Sequence, residues 1–240
     1  MSGMGEKMTA KEYMKELLTV FSLVSVLSEK NGYRVLRLRH RQTGKDLVLR
    51  SFPQPVEAYD FLCGIRCQNL PEVYDVIHLE DGQMVLEEYI DGLTVAQVLE
   101  TGTYRPRGAN KVMAGVCAAL TVLHNEGITH RDVKPENVMI DRNGRVVLID
   151  FNASRKVSQS GKDTVIMGTV GYASPEQLGL SQSDARTDIY AAGVLLNVML
   201  TGKHPTQGYA KGRAGVVIRK CTELNPEDRY QSAQKLYAAL

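Results

Sequence analysis

With 240 residues, 43% of them hydrophobic and 23% charged, the chain has enough material for one large domain or two modest lobes and lacks the composition of a disordered protein. A net charge of only +2 gives no electrostatic footprint for nucleic acid or for an anionic membrane surface. Cys63, Cys67, Cys117 and Cys221 form no CxxC pair, so they read as small apolar residues of a reducing, cytoplasmic compartment rather than as zinc ligands or disulfides.

The opening "MSGMGEK" reads as a flexible start. Thr9 followed by Glu12 fits a capping box and predicts a short amphipathic helix to about Leu18, within an N-terminal extension over residues 1–19. The apolar run "LLTVFSLVSVL" (17–27) is not a secretory signal, because Glu6, Glu12 and Glu16 precede it and no small-residue cleavage site follows. No apolar run reaches the roughly 18 residues that span a bilayer. Residues 20–90 then alternate as strands: "YRVLRLRH", "DLVLRSF" after a Thr-Gly-Lys turn, and "QMVLEEYI" after Asp-Gly. One helical candidate lies around 54–67.

After Gly92 helical spacing takes over, first at 94–101 and 109–126. Two short strands, Val138–Ile140 and Val146–Ile149, flank the Asn-Gly turn of "DRNG". The segment "TDIYAAGVLLNVML" (187–200) is apolar nearly all round and is expected to be central. "QKLYAAL" reads as a last helix. The expected architecture is α+β: a small β-rich lobe over 20–90 and a larger α-helical lobe over 91–240.

The chemistry concentrates in "ITHRDVKPENVMIDRNGRVVLIDFN" (128–152). Phosphoryl transfer needs a carboxylate to orient the attacking hydroxyl, a cation for the moving phosphate, and oxygen ligands for Mg²⁺. Asp132, Lys134 and Asn137 offer these on a loop between a helix and the hairpin. Asp150 stands where the hairpin ends, and the fold-back lets it face the same cleft.

"HRDVKPEN" matches the protein-kinase catalytic-loop pattern, with Val133 in place of Leu. On these residues the chain resembles the eukaryotic-like Ser/Thr protein kinase family, in wording that looks bacterial. "GTVGYASPEQ" (168–177) is similar to the end of an activation segment, with Ser174-Pro175-Glu176 in the Ala-Pro-Glu place. "DIYAAGVLL" is similar to the family's central helix, and "NPEDRY" supplies Arg229 as the expected buried partner of Glu176.

The resemblance implies a two-lobed kinase-like fold that uses ATP with Mg²⁺ (or Mn²⁺) and takes a protein substrate with a Ser/Thr acceptor. It implies Asp132 as base, Lys134 steadying the transferred phosphate, and Thr169 touching both. It implies Asn137 and Asp150 as metal ligands, and Asp188 as a brace beneath the catalytic loop. Val35, Val48 and Met139 would sandwich the adenine, with backbone groups of Glu88 and Ile90 at its edge.

The pattern breaks in four places. In "SEKNGYRV" (28–35), Ser28, Lys30 and Tyr33 stand where the phosphate-covering loop has glycines. Arg50 replaces the strand lysine, with Glu57 as its expected helix partner, and Lys30 offers a second cation for the phosphates. Asn152 follows Asp150-Phe151 where Gly is usual, a mild change because Asn tolerates left-handed backbone. Glu87, at the back of the adenine position, needs a partner such as Arg50 or a backbone donor.

Ser154, Ser158, Ser160 and Thr164 are candidate modified hydroxyls, with Arg131 as the receiving cation. Two functions follow. The intact Asp132, Lys134, Asn137, Asp150 and Thr169 favour an ATP-dependent Ser/Thr kinase. Arg50 and the glycine-poor loop favour a pseudokinase, a nucleotide-binding or scaffolding module without turnover. Lys134 and "SPEQ" argue against a small-molecule substrate.

Overall fold

The computed structural model describes residues 8–30, 32–156, 171–178 and 183–240. The chain divides into two compact units: Met1–Arg66 with Pro71–Tyr89, and Cys67–Leu70 with Ile90–Leu240. The boundary after Tyr89 falls where the sequence changes character. The return of residues 67–70 to the second unit is not visible in the sequence.

The first unit opens with α1 (Ala10–Val20). Thr9 Oγ1 accepts from the Glu12 N–H at 3.4 Å, and the Glu12 carboxylate accepts from the Thr9 N–H at 2.8 Å, completing the expected capping box. Then come β1 (Phe21–Lys30), β2 (Tyr33–His40), β3 (Asp46–Phe52), α2 (Ala58–Leu62), β4 (Val73–Leu79) and β5 (Gly82–Glu88). They form one antiparallel sheet in the order β1-β2-β3-β5-β4. The apolar run 17–27 thus divides at Phe21 between the end of α1 and the first strand.

The register sorts the side chains, because directly paired residues share a face of the sheet. Leu36, Leu49 and Leu86 are aligned across β2, β3 and β5, with Leu38 and Leu47 beside them. These leucines pack with Leu17, Tyr13 and Met14 of α1. The N-terminal extension is therefore part of the sheet's core. The Ala10 N–H also donates to Asp81 Oδ1 at 2.9 Å, tying α1 to the β4–β5 turn.

The helix expected over 54–67 is confined to Ala58–Leu62. Pro53 and Pro55 disfavour helix before it, and Gly64 leaves the helical region at φ 95°. Ala58, Tyr59 and Leu62 are its buried residues.

Asp46 on β3 accepts from Arg39 Nε at 2.7 Å and from Arg37 Nε at 2.9 Å. The Arg39 hydrogen bond, then that of Arg37 against the opposing effect of burial, holds its carboxyl down at about 2. A depressed carboxyl pKa stabilises the fold above the ordinary Asp range, and this is lost as pH falls through the folded value. Asp46→Asn is therefore expected to lower the thermal midpoint at pH 7, by the equivalent of about 0.5–1 kcal/mol. Parent and variant should converge near pH 2, and parallel melts followed by circular dichroism read both points.

The second unit runs β6 (Gly92–Thr94), α3 (Val95–Leu99), α4 (Pro106–Asn125), β7 (Ile128–Thr129), β8 (Val138–Asp141), β9 (Val146–Leu148), β10 (Arg155–Lys156), α5 (Ala185–Thr201), α6 (Gly212–Cys221) and α7 (Ala233–Ala239). α4 begins three residues before the expected start, because Pro106 is well placed at a first helical position. β6, β8 and β9 form a small sheet. At Gly92 a side chain would sit 2.1 Å from the Ile140 carbonyl oxygen, so only glycine lets β6 lie against β8.

α5 is capped by Asp184, ends at Gly202 (φ 69°), and is buried on nearly every side, as its composition predicts. Its buried Asn197 donates to the carbonyls of Lys203 and Gly208 and accepts from the Ala210 N–H, pinning the following loop. Cys117 and Cys221 are buried, and burial pushes the Cys117 thiol up to about 12, in keeping with apolar rather than reactive roles. No described helix is long and apolar enough to cross a membrane.

Candidate active site

The loop from His130 to Asn137 hangs from one buried carboxylate. Asp188 on α5 is fully buried; its Oδ2 accepts from the His130 N–H and its Oδ1 from the Arg131 N–H, both at 2.8 Å. His124 Nε2 lies 2.8 Å from the same Oδ2. Arg131 holds a left-handed backbone (φ 68°), uncommon for a residue with a Cβ. Such geometry costs on the order of 1–3 kcal/mol and persists only where surroundings enforce it. Here the two N–H bonds to Asp188 enforce it, and Gln177 Nε2 donates to the Arg131 carbonyl at 2.9 Å.

His130 is buried, and burial pushes its pKa down, outweighing the neighbouring carboxylates. The neutral ring fits its contacts: Nε2 lies 3.1 Å from the Ile149 carbonyl, and Nδ1 accepts from the Asp132 N–H. Its ring meets Phe151 edge-on.

On this frame the three loop residues converge. Lys134 Nζ donates to Asp132 Oδ2 at 2.6 Å. Asn137 Nδ2 donates to the same oxygen at 2.8 Å and to the Asp132 carbonyl at 2.9 Å. The Asn137 amide nitrogen is thereby turned toward Asp132, so its Oδ1 is the atom offered to a cation. The Ile149 N–H donates to the Asn137 carbonyl at 2.8 Å, which sets Asp150 beside the loop at the open end of β8 and β9.

Asp150, not Asn152, takes the left-handed conformation (φ 68°). The tolerance of Asn for that geometry is therefore not what position 152 requires.

One amide oxygen and one carboxylate suit Mg²⁺ completed by substrate phosphates better than a cage made wholly of protein. Among the described residues no group of three or more His, Cys, Asp or Glu could hold a metal.

The expected clasp between Glu176 and Arg229 is present, with contacts of 2.6 and 2.9 Å, and Thr187 Oγ1 adds a bond at 3.1 Å. Ser154 Oγ donates to the His130 carbonyl, which gives that hydroxyl a structural contact. Thr169, Ser158, Ser160 and Thr164 lie outside the described residues.

In the first unit, Val35, Val48, Arg50, Val85 and Glu87 occupy the sheet face opposite α1. Arg50 Nε donates to Glu87 Oε1 at 2.7 Å, with both side chains buried. Glu57, expected as the partner of Arg50, is exposed at the N-cap of α2, because the helix starts only after it. Lys30 is exposed and pairs with Tyr33 across the β1–β2 hairpin, where Gly32 takes φ 81°. The Glu88 N–H donates to the Glu72 carbonyl at 2.8 Å. In the second unit Ile90 is buried, and Met139 faces Val147 across β8 and β9.

Sequence reasoning missed His124. Its signal was a polar residue continuing the buried row Val116, Leu120 at helical spacing in α4.

The protein kinase domain family matches residues 53–237. The chain is 34% identical over 231 residues to the serine/threonine-protein kinase PknB of Mycolicibacterium smegmatis, covering 85% of this chain and 35% of that protein. It is 35% identical over 184 residues to PknB of Mycobacterium tuberculosis, covering 65% and 29%. It is 40% identical over 180 residues to the "Probable serine/threonine-protein kinase SCO3848" of Streptomyces coelicolor, covering 63% and 27%.

The fold is that of a protein kinase, and the chain belongs to the protein kinase domain family, in its bacterial eukaryotic-like Ser/Thr branch. It spans about a third or less of the length of these relatives. The family match begins at Pro53, just after Arg50 and the glycine-poor hairpin.

Proposed function

We propose that the chain transfers the γ-phosphoryl group of ATP to Ser or Thr of a protein substrate. The observation that carries this reading is the convergence of Lys134 and Asn137 on one oxygen of Asp132. Asp132 orients the acceptor hydroxyl and receives its proton as that oxygen bonds to the γ-phosphorus. The bond from the γ-phosphorus to the bridging oxygen breaks, and ADP leaves. Lys134, held against Asp132, neutralises charge on the phosphoryl group in flight, and the family resemblance adds Thr169 as the residue that would steady both.

Asn137 Oδ1 and the Asp150 carboxylate would hold Mg²⁺ or Mn²⁺, which supplies charge neutralisation between the phosphates. Val35, Val48 and Met139 enclose the adenine, Glu88 and Ile90 meet its edge, and Arg50 and Lys30 face the phosphates. The reducing-compartment cysteines support a cytoplasmic site of action for this domain.

A second reading has its own observation. The Arg50–Glu87 pair and the single glycine at the hairpin favour a nucleotide-binding module without turnover. Incorporation of labelled γ-phosphate into the chain itself and into a generic basic protein, with Mg²⁺ and with Mn²⁺, separates the two. Asp132→Asn should fall about 10²–10⁴-fold below the parent, the range for loss of a positioned acid–base group. A parent no better than this variant under both metals sinks the catalytic reading. A thermal shift with ATP and Mg²⁺ would then identify the nucleotide-binding module, since a ligand of the folded state raises the midpoint.

A further inference from the structure

We infer that Glu87 is the positioning residue for Arg50, fixing from within the sheet the cation that meets the nucleotide's phosphates. This rests on the nucleotide reading above. Arg50 is 7% exposed and Glu87 2%, so both charges are withdrawn from water, a placement sustained only where charges are paired.

The backbone sets their separation. Arg50 lies opposite Val85 in the β3–β5 ladder, and Glu87 is two residues further along β5 on the same face. Such diagonal neighbours are within reach of long side chains. Val35 lies opposite Arg50, and Val48 opposite Glu87, so aliphatic groups flank the pair and the low local dielectric strengthens its bond.

An Arg at this position differs from a Lys in having a plane to orient. Glu87 binds the Nε edge at 2.7 Å and so fixes the plane of the whole fork. The family resemblance points to Glu57 for this task. The structure assigns it to a carboxylate on a strand hydrogen-bonded to Arg50's own, so the cation's placement follows the sheet register rather than the five-residue helix.

Two effects of removing Glu87 have opposite signs, which makes the test diagnostic. Loss of a negative charge alone strengthens binding of a polyanion, whereas loss of the anchor weakens it. The full chain is titrated calorimetrically with adenosine and with ATP–Mg²⁺, and the ratio of affinities is read. Arg50→Met and Glu87→Leu are each expected to lower the preference for ATP about tenfold, with no further loss when combined. Glu87→Gln, which keeps an oxygen acceptor, should hold or exceed the parent preference.

An unchanged or increased preference in Glu87→Leu overturns the inference, as does a loss confined to Glu57→Gln. A parent chain that binds no ATP–Mg²⁺ overturns the nucleotide reading and this inference together. A parent that prefers ATP whatever occupies position 87 overturns only the inference. Should Glu87→Leu fail to fold, the parent decides the point through its arginine ¹⁵Nε–H resonances. A slowly exchanging, hydrogen-bonded Nε–H assigned to Arg50 is expected, and a rapidly exchanging one overturns the positioning role.

Discussion

Asp188→Asn is expected to reduce phosphate incorporation by about a hundredfold or more, and to lower the unfolding free energy by about 2–4 kcal/mol. The native carboxylate accepts two backbone N–H groups on separate oxygens, and His124 lies on one of them. An Asn keeps one acceptor and turns an amide N–H₂ against a buried donor. One loop N–H is then orphaned, and Arg131 loses part of what holds its left-handed backbone. Asp132 follows directly in the chain, so the error passes to the carboxylate proposed to align the acceptor hydroxyl. Urea unfolding and labelled-phosphate transfer, read beside Asp132→Asn, measure both effects. A variant as stable and as active as the parent would remove Asp188 from this account.

Arg229→Met should be the most destabilising of these single changes, at about 3–5 kcal/mol near neutral pH. The Arg229 side chain is fully buried and donates to both Glu176 oxygens and to the carbonyls of Arg186, Glu223 and Leu224. Without it Glu176 is left as a buried charge with no cation. Burial pushes the Glu176 carboxyl up, but the Arg229 hydrogen bonds outweigh it and hold the group below its ordinary value. The pair's contribution is therefore complete above the usual Glu range and is lost as pH falls through the depressed value. Urea midpoints should show a wide gap between parent and variant at pH 7 that narrows as pH falls below the usual Glu range. A gap independent of pH would mean that packing, not charge, accounts for the loss.

The convergence of Lys134 and Asn137 on Asp132 was legible because the three residues occupy one short stretch whose spacing carries the geometry. The capping box at Thr9 and the central helix were legible for the same reason, as local rules acting on neighbours. The Arg50–Glu87 pair was legible only as one of two options for Glu87, the other being a backbone donor, because the choice depends on how β3 registers with β5. Glu57, the helix partner that the family resemblance implied, is exposed because the helix meant to carry it begins only at Ala58. At Asp150 and Asn152 the sequence marked the unusual residue, while the strain falls on the neighbouring metal-ligand candidate. The Glu176–Arg229 clasp was accessible only through the family resemblance.

Residues 67–70 impose a condition on how the chain is made. Asn69 Nδ2 donates to the Val146 carbonyl, 77 residues downstream, and the Leu148 N–H returns a bond to the Asn69 carbonyl. At synthesis rates of about 5–20 residues per second, Asn69 waits roughly 4–15 s before its partners leave the ribosome. During that interval the N-terminal sheet can pair its strands while the segment inside it still lacks its destination. A fragment ending at Tyr89 would carry this segment permanently without its partners, so cutting the chain at its apparent boundary does not yield two self-sufficient halves.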